Sequence, residues 1–97
     1  MLRHWMFTLQ PGKRQGATAW LKEMGEYFLK LWPQHSPRVY ATAVGNARQL
    51  HMTVELDDYA TIDSAHDDIR ADQGFMELWA KKNGLFSEEC AEIWVEL

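Results

Sequence analysis

Two alternating runs frame this chain and constrain its fold more than anything between them. Leu2–Leu9 sets Arg3, Trp5, Phe7 and Leu9 against Leu2, His4, Met6 and Thr8. The first set is the more apolar, and period-two alternation of this kind marks a half-buried strand. The closing run from about Ala91 to Leu97 alternates again, with Ile93 and Val95 opposed to Trp94 and Glu96. A chain that has a strand near each end and two helical stretches between them has few topologies open to it.

The stretch between supplies those helices. Pro11 and Gly12 stop the first strand, since proline cannot donate to a ladder and glycine permits the turn. From Gln15 onward Ala17, Trp20, Leu21, Met24, Tyr27, Phe28 and Leu31 recur at three and four residues, so they share one helical face. Pro33 and Pro37 close this helix. Val39–Val44 and Leu50–Leu56 read as the second and third strands, with Gly45-Asn46 as a hairpin signal between them. In the third, Leu50, Met52, Val54 and Leu56 form one apolar face, and His51, Thr53 and Glu55 the other. Asp57 or Asp58 offers an N-cap oxygen for a second helix. Tyr59, Ile62, Ala65, His66 and Ile69 form its inner stripe. An interruption is expected at Ala71–Gly74, after which Phe75, Leu78 and Trp79 resume helical spacing up to Asn83-Gly84.

The order strand, helix, strand, strand, helix, strand predicts a ferredoxin-like α+β fold. It has a four-stranded antiparallel sheet with both helices on one face. At 97 residues the chain is expected to form a single domain, residues 1–97. Net charge −4 and scattered basic pairs (Lys13-Arg14, Lys81-Lys82) argue against a nucleic-acid partner, which calls for a clustered basic face. No apolar run approaches the ~20 residues of a membrane-spanning helix. Arg3, His4 and Thr8 interrupt any leader-like apolar segment. The single Cys90 excludes an intrachain disulfide and a cysteine-based zinc site. A reducing, cytoplasmic setting is therefore expected.

Two helices cover only one side of such a sheet. The other side would show His4, Met6, Thr8, His51, Thr53, Glu55 and, from the last strand, Trp94 and Glu96. It is too apolar around Met6 and Trp94 for water and too polar for a sealed core. Pairing of two such faces across a two-fold axis is the expected outcome, with His4, Met6, His51, Thr53 and Trp94 at the dimer interface.

Several short stretches resemble NIPSNAP-like domains of the dimeric α/β-barrel superfamily. They are Phe7-x-Leu9-x-Pro11-Gly12-Lys13, the helix containing Trp20, and Leu50–Leu56 entering an acidic cap. Asp72, Phe75 and Trp79 and the closing Glu92-Ile93-Trp94-x-x-Leu97 extend the likeness over nearly the whole chain. The resemblance implies a homodimer in which two sheets form a barrel, often with a pocket between sheet and helices of each subunit. Relatives in that superfamily include cofactor-independent monooxygenases, haem-degrading enzymes and isomerases. One position departs from the pattern: such domains often carry an arginine where this chain has Trp5, Arg3 lying two residues earlier. The first strand also lacks the asparagine of the haem-degrading relatives.

The candidate chemistry centres on His66, on the expected inner stripe of the second helix, where a histidine could act as a general base or haem ligand. A flank histidine bonded to Asp63 or water is the competing reading. Trp5, Tyr40, Phe75 and Trp79 are the expected ligand-binding walls, against the alternative that aromatics at this spacing are simply core. His4, His51 and Glu55 could approach a metal-binding trio, but no tight ligand motif accompanies them, and no metal or cofactor is expected. Cys90 beside Glu88, Glu89 and Glu92 is a poor nucleophile. The functional expectation is a small homodimer binding a small apolar or aromatic molecule between sheet and helices. A cofactor-independent monooxygenase or isomerase with His66 as base is one alternative. A non-enzymatic homodimeric interaction module is the other.

Overall fold

A computed structural model describes all residues from Met1 to Leu97. The chain runs β1 (Leu2–Leu9), α1 (Arg14–Leu31), a 3₁₀ turn (Pro33–His35), β2 (Arg38–Ala41), β3 (Gln49–Glu55), α2 (Tyr59–Ala71), α3 (Gln73–Ala80) and β4 (Phe86–Trp94). The strands form one antiparallel sheet in the order β2-β3-β1-β4. This is the ferredoxin-like arrangement that the order of sequence patterns predicts. No helix is long and apolar enough to cross a membrane.

The core lies between the helices and one face of the sheet. Phe7, Leu9, Leu50, Met52, Val54 and Leu56 enter it from the strands and the turn after β3. Ala17, Trp20, Leu21, Met24 and Phe28 of α1 and Phe75 and Leu78 of α3 close over them. The alternation of β1 and β3 is thus realised residue by residue: Trp5 sits opposite Met52 and Phe7 opposite Leu50, all on the helix side. Gly25 lets α1 reach β2, since a β-carbon there would lie 2.9 Å from Val39 Cγ1. Trp20 ties α1 to α3 by donating its indole N–H to the Leu78 carbonyl at 2.8 Å.

Both short helices are capped by aspartates. Asp58 Oδ1 accepts from the Thr61 amide at 2.9 Å, and Asp72 Oδ1 from the Phe75 amide at 2.7 Å, each satisfying an amide that the first turn leaves without a partner. The expected interruption at Ala71–Gly74 is therefore a true break, with Asp72 in extended conformation ending α2 and starting α3.

Three expectations need correction. The last strand begins at Phe86, not near Ala91, and ends at Trp94. Its acidic first half hides the alternation because β4 is an edge strand that the helices leave uncovered, so neither face requires apolar residues. The second strand ends at Ala41 instead of Val44, so the connection to β3 runs over residues 42–48 and is longer than expected. Within it the Asn46 side chain accepts from the Arg48 amide at 3.0 Å, the self-capping turn that asparagine favours. Finally, the expected inner stripe of α2 is not sealed. No residue of α2 is buried, and Tyr59 and His66 are exposed.

Candidate functional site

The stand-off of α2 opens a cleft of about 240 Å³ between β1, β3 and the two C-terminal helices. Arg3, Trp5 and Met52 form its floor, while His66, Ile69 and Arg70 of α2 and Phe75, Met76 and Trp79 of α3 form its walls. Each position follows from local structure. Arg3 and Trp5 share the helix side of β1 because they are two residues apart on a pleated strand. His66, Ile69 and Arg70 share one side of α2 because three and four residues complete a helical turn. Phe75 stacks on Trp79 with ring centroids 6.0 Å apart, giving α3 a flat aromatic wall. The Arg3 guanidinium carbon lies 4.5 Å from the centre of the Trp5 ring, and its partial burial lowers its pKa from the usual arginine value.

The opposite face of the sheet carries a second, shallower concavity of about 830 Å³. His4 and His51, both on this face, share a hydrogen bond of 2.9 Å between Nε2 and Nδ1, and His51 Nε2 meets the Thr42 hydroxyl at 2.7 Å. Trp94 stands edge-on over His4 with ring centroids 4.4 Å apart. His4 is buried beneath that ring, and Thr53, paired with it across β1 and β3, is buried as well, although no helix lies above them. Burial first, and the neighbouring His4 second, push the His51 imidazole below the usual histidine value. Tyr40 and Trp94 are each 48% exposed here, an unusual amount of bare ring for a face with no cover.

The structure brings together four of the five residues singled out for ligand chemistry. Trp5, His66, Phe75 and Trp79 line the cleft. Tyr40 does not: it pairs with His51 across β2 and β3 and belongs to the open face. Phe75 serves core and cleft at once, being 4% exposed. His66 makes no side-chain hydrogen bond to Asp63, and it sits at the exposed rim rather than on a buried stripe. His4, Met6, His51, Thr53 and Trp94 share the open face by register. Glu55 sits opposite Leu2, one step beyond the histidine pair, and no group of three His, Cys, Asp or Glu side chains converges with metal-binding geometry.

Sequence reasoning missed Arg3, Ile69, Arg70 and Met76 as cleft residues. The signal for Arg3 was present, because an arginine in the otherwise apolar register of a strand has to face something other than core.

A sheet in the order β2-β3-β1-β4 with helices on one face and a cleft beneath them defines a ferredoxin-like α+β domain with a pocket between its layers. Solved structures narrow this to a NIPSNAP-like fold. A NIPSNAP family protein from Agrobacterium tumefaciens superposes with a TM-score of 0.84 at 12% identity, covering 99% of this chain and 84% of that one. A NIPSNAP domain protein from Burkholderia xenovorans gives 0.80 at 11% identity, with 99% and 93% covered. A candidate antibiotic biosynthesis monooxygenase from Bacteroides thetaiotaomicron gives 0.75 at 17% identity, with 100% and 89% covered. At such identities the likeness is one of fold. No family model matches the sequence, and no curated protein matches it.

Proposed function

We propose that this chain is a NIPSNAP-like homodimer that binds a small apolar or aromatic molecule in the cleft between sheet and helices. The observation that carries the reading is the stand-off of α2. No residue of α2 is fully buried, and its His66, Ile69 and Arg70 line the cavity. The cavity lies below the ~300–1,000 Å³ of drug-sized sites, which limits the ligand to about one fused ring system. Trp5, Phe75 and Trp79 offer it aromatic surface.

The open face is the proposed dimer interface, built on Met6, His4, His51, Thr53 and Trp94, with Tyr40 beside them. The lone, exposed Cys90 supports a reducing, cytoplasmic setting. A second reading, a cofactor-independent monooxygenase or isomerase, draws on His66 at the rim of the same cleft and on the fold shared with the Bacteroides protein. His66 lacks a carboxylate to orient its ring, so binding is the better-supported role.

The binding proposal is tested by titrating naphthylmethanol into the labelled protein and following the indole N–H signals of Trp5 and Trp79. Saturable shifts that vanish in Ile69→Trp, which fills the cleft, are expected. Absence of any cleft shift with neutral or acidic aromatic probes defeats the proposal. Sedimentation should give twice the 11.3 kDa chain mass, and an 11.3 kDa species alone at micromolar concentration rejects the dimer. Loss of turnover of a found substrate in His66→Ala would favour the enzyme reading; unchanged turnover removes His66 from it.

A further inference from the structure

The cleft is apolar in its walls yet cationic in its charge. Of the ten residues lining it, Arg3, Arg70 and His66 carry or can carry positive charge, and none is acidic. This runs against the chain as a whole, where 14 acidic residues outnumber 10 lysines and arginines. Neither arginine has an internal partner, the one ion pair within 4 Å being Lys82–Glu89, between the turn after α3 and β4. Arg3 is the more telling of the two. It is partly buried on the helix side of the central strand β1, where a guanidinium without a counter-charge forfeits hydration and gains only the face of Trp5. A guanidinium stacked on an aromatic ring keeps its N–H edge free, and that edge matches a carboxylate in a two-pronged hydrogen bond.

We infer that the ligand of this cleft is an organic anion, an aromatic acid whose carboxylate is taken by Arg3 and Arg70 while its ring lies against Trp5, Phe75 and Trp79. The inference rests on the proposed binding role of the cleft and adds the chemical class of the ligand. Asp63 and Asp67 lie within one turn of His66 and Arg70 on α2 but do not line the cleft, and acidic groups beyond about 8–10 Å are largely screened at physiological ionic strength. The two arginines reach the cleft from different elements, Arg3 from β1 and Arg70 from the last turn of α2, so the anion also bridges the stand-off.

The test compares naphthoate with naphthylmethanol of the same ring isomer, by calorimetric titration of the wild-type chain, Arg3→Gln and Arg70→Gln. The acid is expected to bind about tenfold more tightly than the alcohol, the size of one charge-assisted hydrogen bond. Each glutamine variant should shrink that preference, taken as the ratio of acid to alcohol affinity within the same variant, to about twofold or less. Equal binding of the two probes by the wild type overturns the anion inference and leaves the cleft reading standing. Binding of neither overturns both. A preference kept in full by both variants overturns the assignment to the arginines. Arg70 is exposed on α2, so its variant decides the matter even where Arg3→Gln fails to fold.

Discussion

The helices α1 and α2 have the same kind of sequence and opposite fates. Both are amphipathic, both follow a strand, and both cross the same face of the sheet. Yet α1 buries Ala17, Trp20, Leu21, Met24 and Phe28, whereas α2 buries nothing. The difference lies in what each meets. Gly25 lets α1 settle onto β2, and the buried Trp20, Leu21, Met24 and Phe28 fill the seam beneath it. On the other side Arg3 and Trp5 occupy the sheet, and α2 offers only Ile62, Ala65 and Ile69 in return. Amphipathicity states which side of a helix turns inward; side-chain volume and charge beneath it decide how closely it comes.

This contrast can be broken by mutation. Trp20→Ala is expected to cost about 3–5 kcal/mol, as for large aromatic truncations in a packed core, read as a shift of the urea midpoint. Gly74→Ala comes next. Its β-carbon would overlap the Tyr27 hydroxyl, which donates to Asp72 at 2.7 Å and links α1 to the start of α3. Overpacking of this sort costs about 1–3 kcal/mol, and a double variant with Tyr27→Phe should recover part of it. Ile62→Ala on α2 should cost less than about 1 kcal/mol, because the site is only partly buried. A cost for Ile62→Ala that matched Trp20→Ala would mean that α2 is sealed in solution, and the contrast would be gone.

Acid should separate the two faces of the sheet. Asp72 is held below the usual carboxylate value first by the Tyr27 hydroxyl and then by the Phe75 amide. Its contribution is present above the unfolded value near 3.8 and is lost as pH falls through the lower folded value. His51 is also lowered, but here the neutral ring is the native form. Stability is intact above the usual 6.5 and declines as pH falls from there toward the folded value, because the unfolded chain takes up the proton first. Denaturation curves between neutral pH and pH 5 should therefore weaken in the wild type and flatten in His51→Asn. An unchanged slope in that variant would remove His51 as the cause.

Much of the fold was legible because its signals were local. The bounds of β1 and the buried set of β3 followed from alternation, and α1 from its stripe and flanking prolines. What escaped had non-local causes. The early start of β4 was hidden because an uncovered edge strand has no need to alternate. The long loop after Ala41 was hidden because Gly45-Asn46 marks a turn without fixing where pairing resumes. For the cleft, Trp5, His66, Phe75 and Trp79 were readable as aromatic or titratable residues at helix and strand spacing. Tyr40 was misassigned by one step of register, which on a pleated strand changes the face. Arg3 and Arg70 were legible only as charges; that both line one cleft depends on the depth at which α2 stops.

The histidine pair on the open face has a consequence of its own. The Thr42 hydroxyl has one proton, and the Gln49 carbonyl beside it at 3.3 Å can only accept. If that proton points to Gln49, Thr42 must accept from His51 Nε2, and His51 Nδ1 must accept from His4 Nε2. The bookkeeping ends at His4 Nδ1, a buried nitrogen left with a bare lone pair and no partner. In that orientation two imidazoles and a hydroxyl form a directed hydrogen-bond chain that ends at His4 Nδ1. With that hydroxyl orientation both rings are Nε2–H tautomers, and with the reverse orientation both are Nδ1–H, a difference that imidazole nitrogen chemical shifts report directly.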